Sequence, residues 1–271
     1  MAAGSLLECV VNLSEGRDPE LVAEVAGAAG PGLLDVHTDA DHNRSVLTLG
    51  GPAAAVEAAA RAVAARAVDA LDLGRHRGAH PRFGVVDVVP FVPLGGDMPG
   101  AVAARDAFAR WAGDELGLPC FLYGPDRSLP EVRRSAFSGL APDAGPSRPH
   151  ATAGACAVGA RPMMLAWNLW LDGADMGAAR NLAARLRGPQ VRALAFDLAG
   201  RVQLSFNLLA PLEAGPDRIY AAVTDAGARV ARAELVGLAP ARLLARTPEE
   251  LWSRLDLGPD RTIESRLGRV P

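Results

Sequence analysis

Met163-Met164-Leu165-Ala166-Trp167-Asn168-Leu169-Trp170-Leu171 is the stretch on which the fold turns, because it opens a second copy of a pattern already present upstream. It reads as a strand rich in apolar and aromatic residues. Beyond it the sequence predicts a helix over Gly173–Leu186, paired strands over Val191–Leu198 and Val202–Leu208, a helix over Pro216–Arg229 and a last strand over Ala233–Val236. The tail from Ala239 to Arg269 carries further helical patches.

The same order runs through the first half. Leu7–Leu13 (LECVVNL) reads as a strand. Asp18-Pro19-Glu20 starts a helix, with Asp18 as N-cap and Pro19 at the first helical position, and Gly30-Pro31-Gly32 ends it. Strands over Leu33–Val36 and Arg44–Leu49 flank the polar loop Thr38–Asn43. Ala53–Leu71 is helical on propensity, Phe83–Val89 is a strand closed by Pro90, and a helix over about Gly100–Leu116 leads to a strand at Cys120–Tyr123. Two βαββαβ units predict an α/β (α+β) protein of two ferredoxin-like subdomains, residues 1–160 and 161–271. Their mixed sheets would stack, with helices outside and the sheet faces buried on each other or on a partner.

Between the halves, Gly124–Gly159 is rich in Pro, Gly, Ser, Asp and Ala and reads as one long loop. The small residues of its Ala153–Ala160 run either admit a flat or anionic ligand close to backbone amides or make a close-packed turn.

Composition excludes several classes. Of 271 residues, 49% are hydrophobic, and the net charge of −3 gives no reason to expect nucleic acid. No apolar run reaches the roughly 18 residues that a membrane span needs. Met1-Ala2-Ala3-Gly4-Ser5 has no basic residue to start a signal peptide, so a cytoplasmic protein is expected. Cys9, Cys120 and Cys156 lie far apart and read as buried thiols, not as a disulfide framework or a zinc site. The chain contains no lysine, which excludes a lysine Schiff base and a Walker-type lysine.

Chemistry concentrates in Arg75-His76-Arg77-Gly78-Ala79-His80-Pro81-Arg82. Guanidinium groups hold anionic oxygens and imidazole moves protons near neutral pH, so the cluster suits group transfer on a carboxylate-rich substrate. All five histidines (His37, His42, His76, His80, His150) fall in the first 150 residues. The His37/His42 and His76/His80 spacings mimic zinc ligand pairs, but they lie in predicted loops without the zincin carboxylate pattern.

These motifs together resemble the formiminotransferase domain of glutamate formimidoyltransferases, over nearly the whole chain. The matches are Glu8-Cys9-Val10 to Ser14-Glu15-Gly16-Arg17, Leu33-Leu34-Asp35 to Asp41-His42-Asn43-Arg44-Ser45, and His76 with Gly78-Ala79-His80-Pro81-Arg82 through Asp87-Val88-Val89-Pro90-Phe91. Leu122-Tyr123-Gly124, Gly145-Pro146-Ser147, Gly154 to Arg161, Asn168 and Leu235-Val236-Gly237-Leu238 follow in order. The resemblance implies transfer of a formimino group from N-formimino-L-glutamate to tetrahydrofolate as co-substrate, without a metal, in histidine degradation. It also implies two stacked halves with a ligand channel between them and a homodimer. A chain ending at Pro271 would be a stand-alone transferase working with a separate cyclodeaminase.

The resemblance assigns catalysis to His80, as the acid and base that moves a proton from folate N5 to the departing glutamate nitrogen. Pro81 biases its backbone towards extended. Arg82 and Arg44 either hold substrate carboxylates or make ion pairs. Asp39, Asp41 and His42 either orient His80 or bond the amidine, or else do turn and capping work, and Asn43 stands with them. Asp87 would pair with a neighbouring arginine. The family's folate stretch corresponds to Gly145, Pro146, Ser147, Arg148, Pro149, His150, Ala151, Thr152, Ala153 and Gly154. Four positions depart from the common pattern: Ala79 replaces an acidic residue, Arg77 a lysine or an amide, Ala153 an aromatic and His150 an apolar residue. Trp167 or Trp170, on opposite faces of one strand, could restore aromatic surface. The readings beside the leading one are transfer from another donor, such as formiminoglycine or a formyl compound, and a catalytically silent folate-binding paralogue.

Overall fold

The computed structural model describes residues 5–78 and 82–268, which form two compact units parting between Pro162 and Met163. The first unit runs β1 (Leu6–Leu13), α1 (Pro19–Gly27), β2 (Leu33–Asp39), β3 (Arg44–Pro52), α2 (Ala53–Ala70), β4 (Val86–Pro93), α3 (Met98–Glu115), β5 (Cys120–Tyr123), α4 (Leu129–Ser135) and β6 (Cys156–Ala160). Its sheet has the order β2-β3-β1-β4-β6-β5. The first four strands pair antiparallel, and β6 runs parallel to both β4 and β5. The result is a mixed sheet: a βαββαβ order, 2-3-1-4, extended by two strands.

The second unit runs β7 (Leu165–Leu171), α5 (Met176–Leu186), β8 (Val191–Leu198), β9 (Arg201–Leu208), α6 (Pro216–Asp225) and β10 (Val230–Val236), followed by short helical turns to residue 268. Its sheet has the order β10-β7-β9-β8 with every pair antiparallel. That is the ferredoxin-like order, reached because each helix carries the chain over one intervening strand.

Two sequence expectations need correction. Pro90 does not close β4. It sits inside the strand, opposite Gly159 of β6, where the β1–β4 ladder skips from Cys9–Phe91 to Asn12–Val88. Its missing N–H therefore interrupts no ladder bond. Nor is Gly124–Gly159 a loop between halves. It belongs to the first unit and contains α4 and β6, so the small residues of Cys156-Ala157-Val158-Gly159-Ala160 belong to a fully buried strand. A Cβ on Gly159 would lie 2.1 Å from the Tyr123 ring, which explains the glycine.

Alternation along the strands splits the first unit's interior. One face packs Val11, Leu47 and Phe91 with Val56, Val63 and Phe108 of α2 and α3. The opposite face of β4, β5 and β6 carries Val88, Phe121, Tyr123 and Ala157 with Val132 of α4. In the second unit Trp167 and Leu169 pack with Leu182, Ala183, Ile219 and Val223. Trp170 points to the other face, only 5% exposed. Its indole N–H donates to Glu234 at 3.1 Å, and the guanidinium groups of Arg201 and Arg232 each lie 4.7 Å from its ring centre. With Trp167 in the core and Trp170 so covered, neither offers an open stacking surface.

Candidate functional site

Three segments of the first unit meet at the ends of β1, β2, β3 and β4. The first is Ser14-Glu15-Gly16-Arg17. Ser14 ties β1 to the segment before β4, donating its hydroxyl to Gly84 O at 2.7 Å and its N–H to Val85 O at 2.9 Å. One Glu15 carboxylate oxygen accepts from the backbone N–H groups of Gly16, Arg17 and Asp18 at 2.7–3.0 Å. Asp18 then caps α1 through Leu21 N–H, as its sequence predicts. Gly16 touches the facing hairpin so closely that a Cβ would lie 2.5 Å from both Arg44 N and Asp39 O.

The second segment is the turn between β2 and β3. Strand β2 extends to Asp39, further than its apolar pattern implies, because Thr38 and Asp39 pair with Ser45 and Arg44. Asp39 accepts from His42 N–H at 2.8 Å, and its other oxygen is 4.0 Å from the buried His42 ring. Asp41 lies within the same turn. Asn43 takes a left-handed φ of 47°, a conformation that Asn tolerates better than most residues. Its side chain accepts from Gly16 N–H at 2.9 Å and donates to Arg77 O at 3.1 Å. Asn43 therefore fastens the other two segments to the turn.

The third segment is 72–87. His76 Nε2 bonds the backbone carbonyl of Asn43 at 2.8 Å. Arg82 donates to the carbonyl of His42 at 3.3 Å, and its side chain is 4% exposed. Its guanidinium lies 3.7 Å from Asp87, which also receives Arg133 of α4 at 2.5 Å and accepts from Phe83 N–H at 2.7 Å. Burial pulls the Arg82 pKa down to about 10, opposed by Asp87 and reinforced by Arg44 and Arg133, with Asp39 opposing further. Arg82 thus remains charged near neutrality. The Arg44, Arg82 and Arg133 guanidiniums stand here with the carboxylates of Asp39, Asp41 and Asp87, and guanidinium groups are the side chains best suited to hold an anionic ligand. His80, with Ala79 and Pro81, lies outside the described residues.

The stretch from Gly145 to Gly154 is split. Residues 145–149 are exposed, and Gly145 packs on Gly113 of α3 and on the segment after it, where a Cβ would lie 3.0 Å from Gly113 Cα and 2.6 Å from Leu118 O. His150 and Gly154 close a tight turn through two reciprocal backbone bonds, with His150 Nδ1 accepting from Ala153 N–H at 3.0 Å. Thr152 O binds Leu73 N–H at 2.8 Å and Ala153 O binds Val85 N–H at 2.9 Å, so this turn braces both ends of the His/Arg segment. Ala153 is fully buried in the core, where no stacking ring could be presented.

An open cleft of about 500 Å³ lies against these loops, lined by Glu15, Arg17, Asp18, Asn43, Arg75 and Arg77 among others. Among the described residues no three His, Cys, Asp or Glu side chains gather as a metal-ligand set, and no helix is long and apolar enough to cross a membrane. Cys9, Cys120 and Cys156 are free and buried. Burial pushes the thiols of Cys9 and Cys156 well above the ordinary range and Tyr123 up to about 12.

The structure brings Asp39, Asp41, His42, Asn43, Arg44 and Arg82 together. Sequence reasoning missed the work of Ser14, Glu15 and Gly16, and that of Arg133. The first three were visible only as a matched motif; Arg133 sat in an expected loop and gave no signal.

Residues 6–161 match the family described as the formiminotransferase domain, N-terminal subdomain. The chain is 36% identical to a glutamate formimidoyltransferase of Thermoplasma acidophilum, over 89% of its own length and 90% of that protein. It is 34% identical to a glutamate formimidoyltransferase of Streptococcus pyogenes, over 90% and 92%. Against a formimidoyltransferase-cyclodeaminase of Sus scrofa it is 33% identical, over 88% of this chain and 51% of that protein.

Proposed function

The chain belongs to the formiminotransferase domain family, and on that premise we propose that it is a transferase moving the formimino group of N-formimino-L-glutamate to tetrahydrofolate in histidine degradation. The observation that carries this reading is the similarity to proteins named glutamate formimidoyltransferase over about nine-tenths of both chains. The guanidinium groups gathered around Arg82 support it, because the donor brings carboxylates. The new bond joins folate N5 to the formimino carbon, the bond from that carbon to the glutamate nitrogen breaks, and a proton passes from N5 to that nitrogen. His80 is the group assigned to carry the proton, on the family resemblance. Arg82 and Arg44 set the electrostatics for the carboxylates, and Asp39, Asp41, His42 and Asn43 shape the turn beneath them. The turn at His150–Gly154 adjoins the same segment and serves the folate side with Gly145 to Pro149. The reading extends to a cytoplasmic homodimer.

The test couples the protein to a cyclodeaminase and follows methenyltetrahydrofolate by absorbance after adding formiminoglutamate and tetrahydrofolate. Turnover by the wild type is expected, with loss of about a hundred-fold or more in His80→Ala, in the range of a general acid–base group. No turnover by the wild type would sink the activity. Undiminished turnover by His80→Ala would sink the mechanism while sparing the activity.

A further inference from the structure

His76 belongs to the same His/Arg cluster, yet the transfer chemistry gives it no step. Its surroundings do. Nε2 lies 2.8 Å from the carbonyl oxygen of Asn43, and a carbonyl can only accept. Nε2 must therefore carry the proton and donate it, which takes that nitrogen out of service as a base. One residue on, Arg77 O accepts from the Asn43 side chain at 3.1 Å. Gly78 then presses on the same turn, where a Cβ would stand 2.4 Å from His42 O and 2.9 Å from the His76 ring. Arg82, on the far side of residues 79–81, donates to that same His42 carbonyl at 3.3 Å. Both ends of the stretch containing His80 are thus pinned to two residues of one turn.

We propose that His76 and Asn43 are positioning residues that fix the entry to the His80 stretch, with Nε2 of His76 acting as a hydrogen-bond donor to the Asn43 carbonyl. The proposal rests on the reading that His80 carries the proton. Glutamine places an N–H donor near the position of a histidine Nε2, whereas leucine fills similar space without one, so His76→Gln and His76→Leu separate donation from packing.

The experiment measures kcat and KM for both substrates, together with hydrogen–deuterium exchange of peptides covering residues 72–84. His76→Leu is expected to lower kcat about ten- to a hundred-fold, the scale of a small misplacement of a catalytic group, with KM little changed and exchange in 72–84 faster. His76→Gln is expected to restore both kcat and exchange to near wild type. Unchanged kcat or unchanged exchange in His76→Leu overturns the proposal, as does a His76→Gln variant as slow as His76→Leu. Should His76→Leu fail to fold, His76→Gln decides alone: near-wild-type values support the latch, and a large fall in kcat overturns it. A wild type without transfer activity would defeat the functional reading, while the exchange data would still decide whether the latch exists.

Discussion

Asp87 holds more of the site than one charge implies, because both of its oxygens are committed. One receives the Phe83 N–H, and the other faces Arg82 and Arg133. The two arginines differ in what they need from it. Arg82 is 4% exposed and has little water to fall back on, whereas Arg133 is about a quarter exposed. Removing one partner of a buried pair leaves an uncompensated charge, a loss of about 3–5 kcal/mol. Asp87→Asn, which still accepts from Phe83, is therefore expected to destabilise the protein by about that amount in urea denaturation. Arg133→Met leaves the Arg82–Asp87 pair intact and should cost only about 1 kcal/mol, as partly exposed ion pairs do. Equal losses for the two variants would mean that Asp87 serves chiefly as the anchor of α4.

At the scale of elements, α4 shows where local signals carry and where they do not. Ser128 accepts from Glu131 N–H while the Glu131 carboxylate accepts from Ser128 N–H, a reciprocal cap on a seven-residue helix. So short a helix has few internal bonds to spare. Ser128→Ala is accordingly expected to cost about 1 kcal/mol and to speed amide exchange in α4 before it does so elsewhere. A uniform rise across the first unit would count against that account. The cap is written plainly as Ser128-Leu129-Pro130-Glu131, yet the surrounding Pro- and Gly-rich composition masks it. Where patterning was strong, as at Asp18-Pro19 before α1 or along β8, sequence and structure agree to within a residue or so. Pro90 and β6 defeated local reading for a different reason. A proline is harmless where the neighbouring ladder skips, and a strand of small residues is required where Tyr123 lies against it, and both facts belong to partners far along the chain. The site divides in the same way. The residues that gather there, Arg44, Arg82 and His42 among them, were legible as candidates from their types. The contacts that assemble them, Gly16 on Arg44 and Asn43 on Arg77, became visible only once the loops were folded together.

Over the whole molecule, each unit has its own hydrophobic core, and the titratable groups that burial perturbs most as acids all belong to the first. Cys9, Cys156 and Tyr123 are held protonated inside it, with pKa values raised above the ordinary 9.0 for a thiol and 10.0 for a phenol. Each group gives its full stabilisation below its unfolded pKa. As pH rises past that value the unfolded chain sheds the proton first, so stability falls until the folded pKa is reached. The loss is about 1.4 kcal/mol per pH unit for each such group, beginning near pH 9 for the two thiols and near pH 10 for the tyrosine. The second unit contains no cysteine. Alkaline conditions should therefore weaken the first unit ahead of the second, and the chain supplies a separate reporter for each. All three thiols lie in the first unit, and three of the four tryptophans, Trp167, Trp170 and Trp252, lie in the second. Between pH 8 and pH 10.5, alkylation of the thiols in denaturant is expected to shift to lower urea concentration, while the tryptophan fluorescence transition moves less. Cys9→Ala should shrink the pH dependence of the first transition by about a third to a half, since it removes one of three such groups and one of the two that respond earliest. If the thiol and tryptophan transitions stay coincident at every pH, the units unfold as one body and the alkaline loss is shared between them.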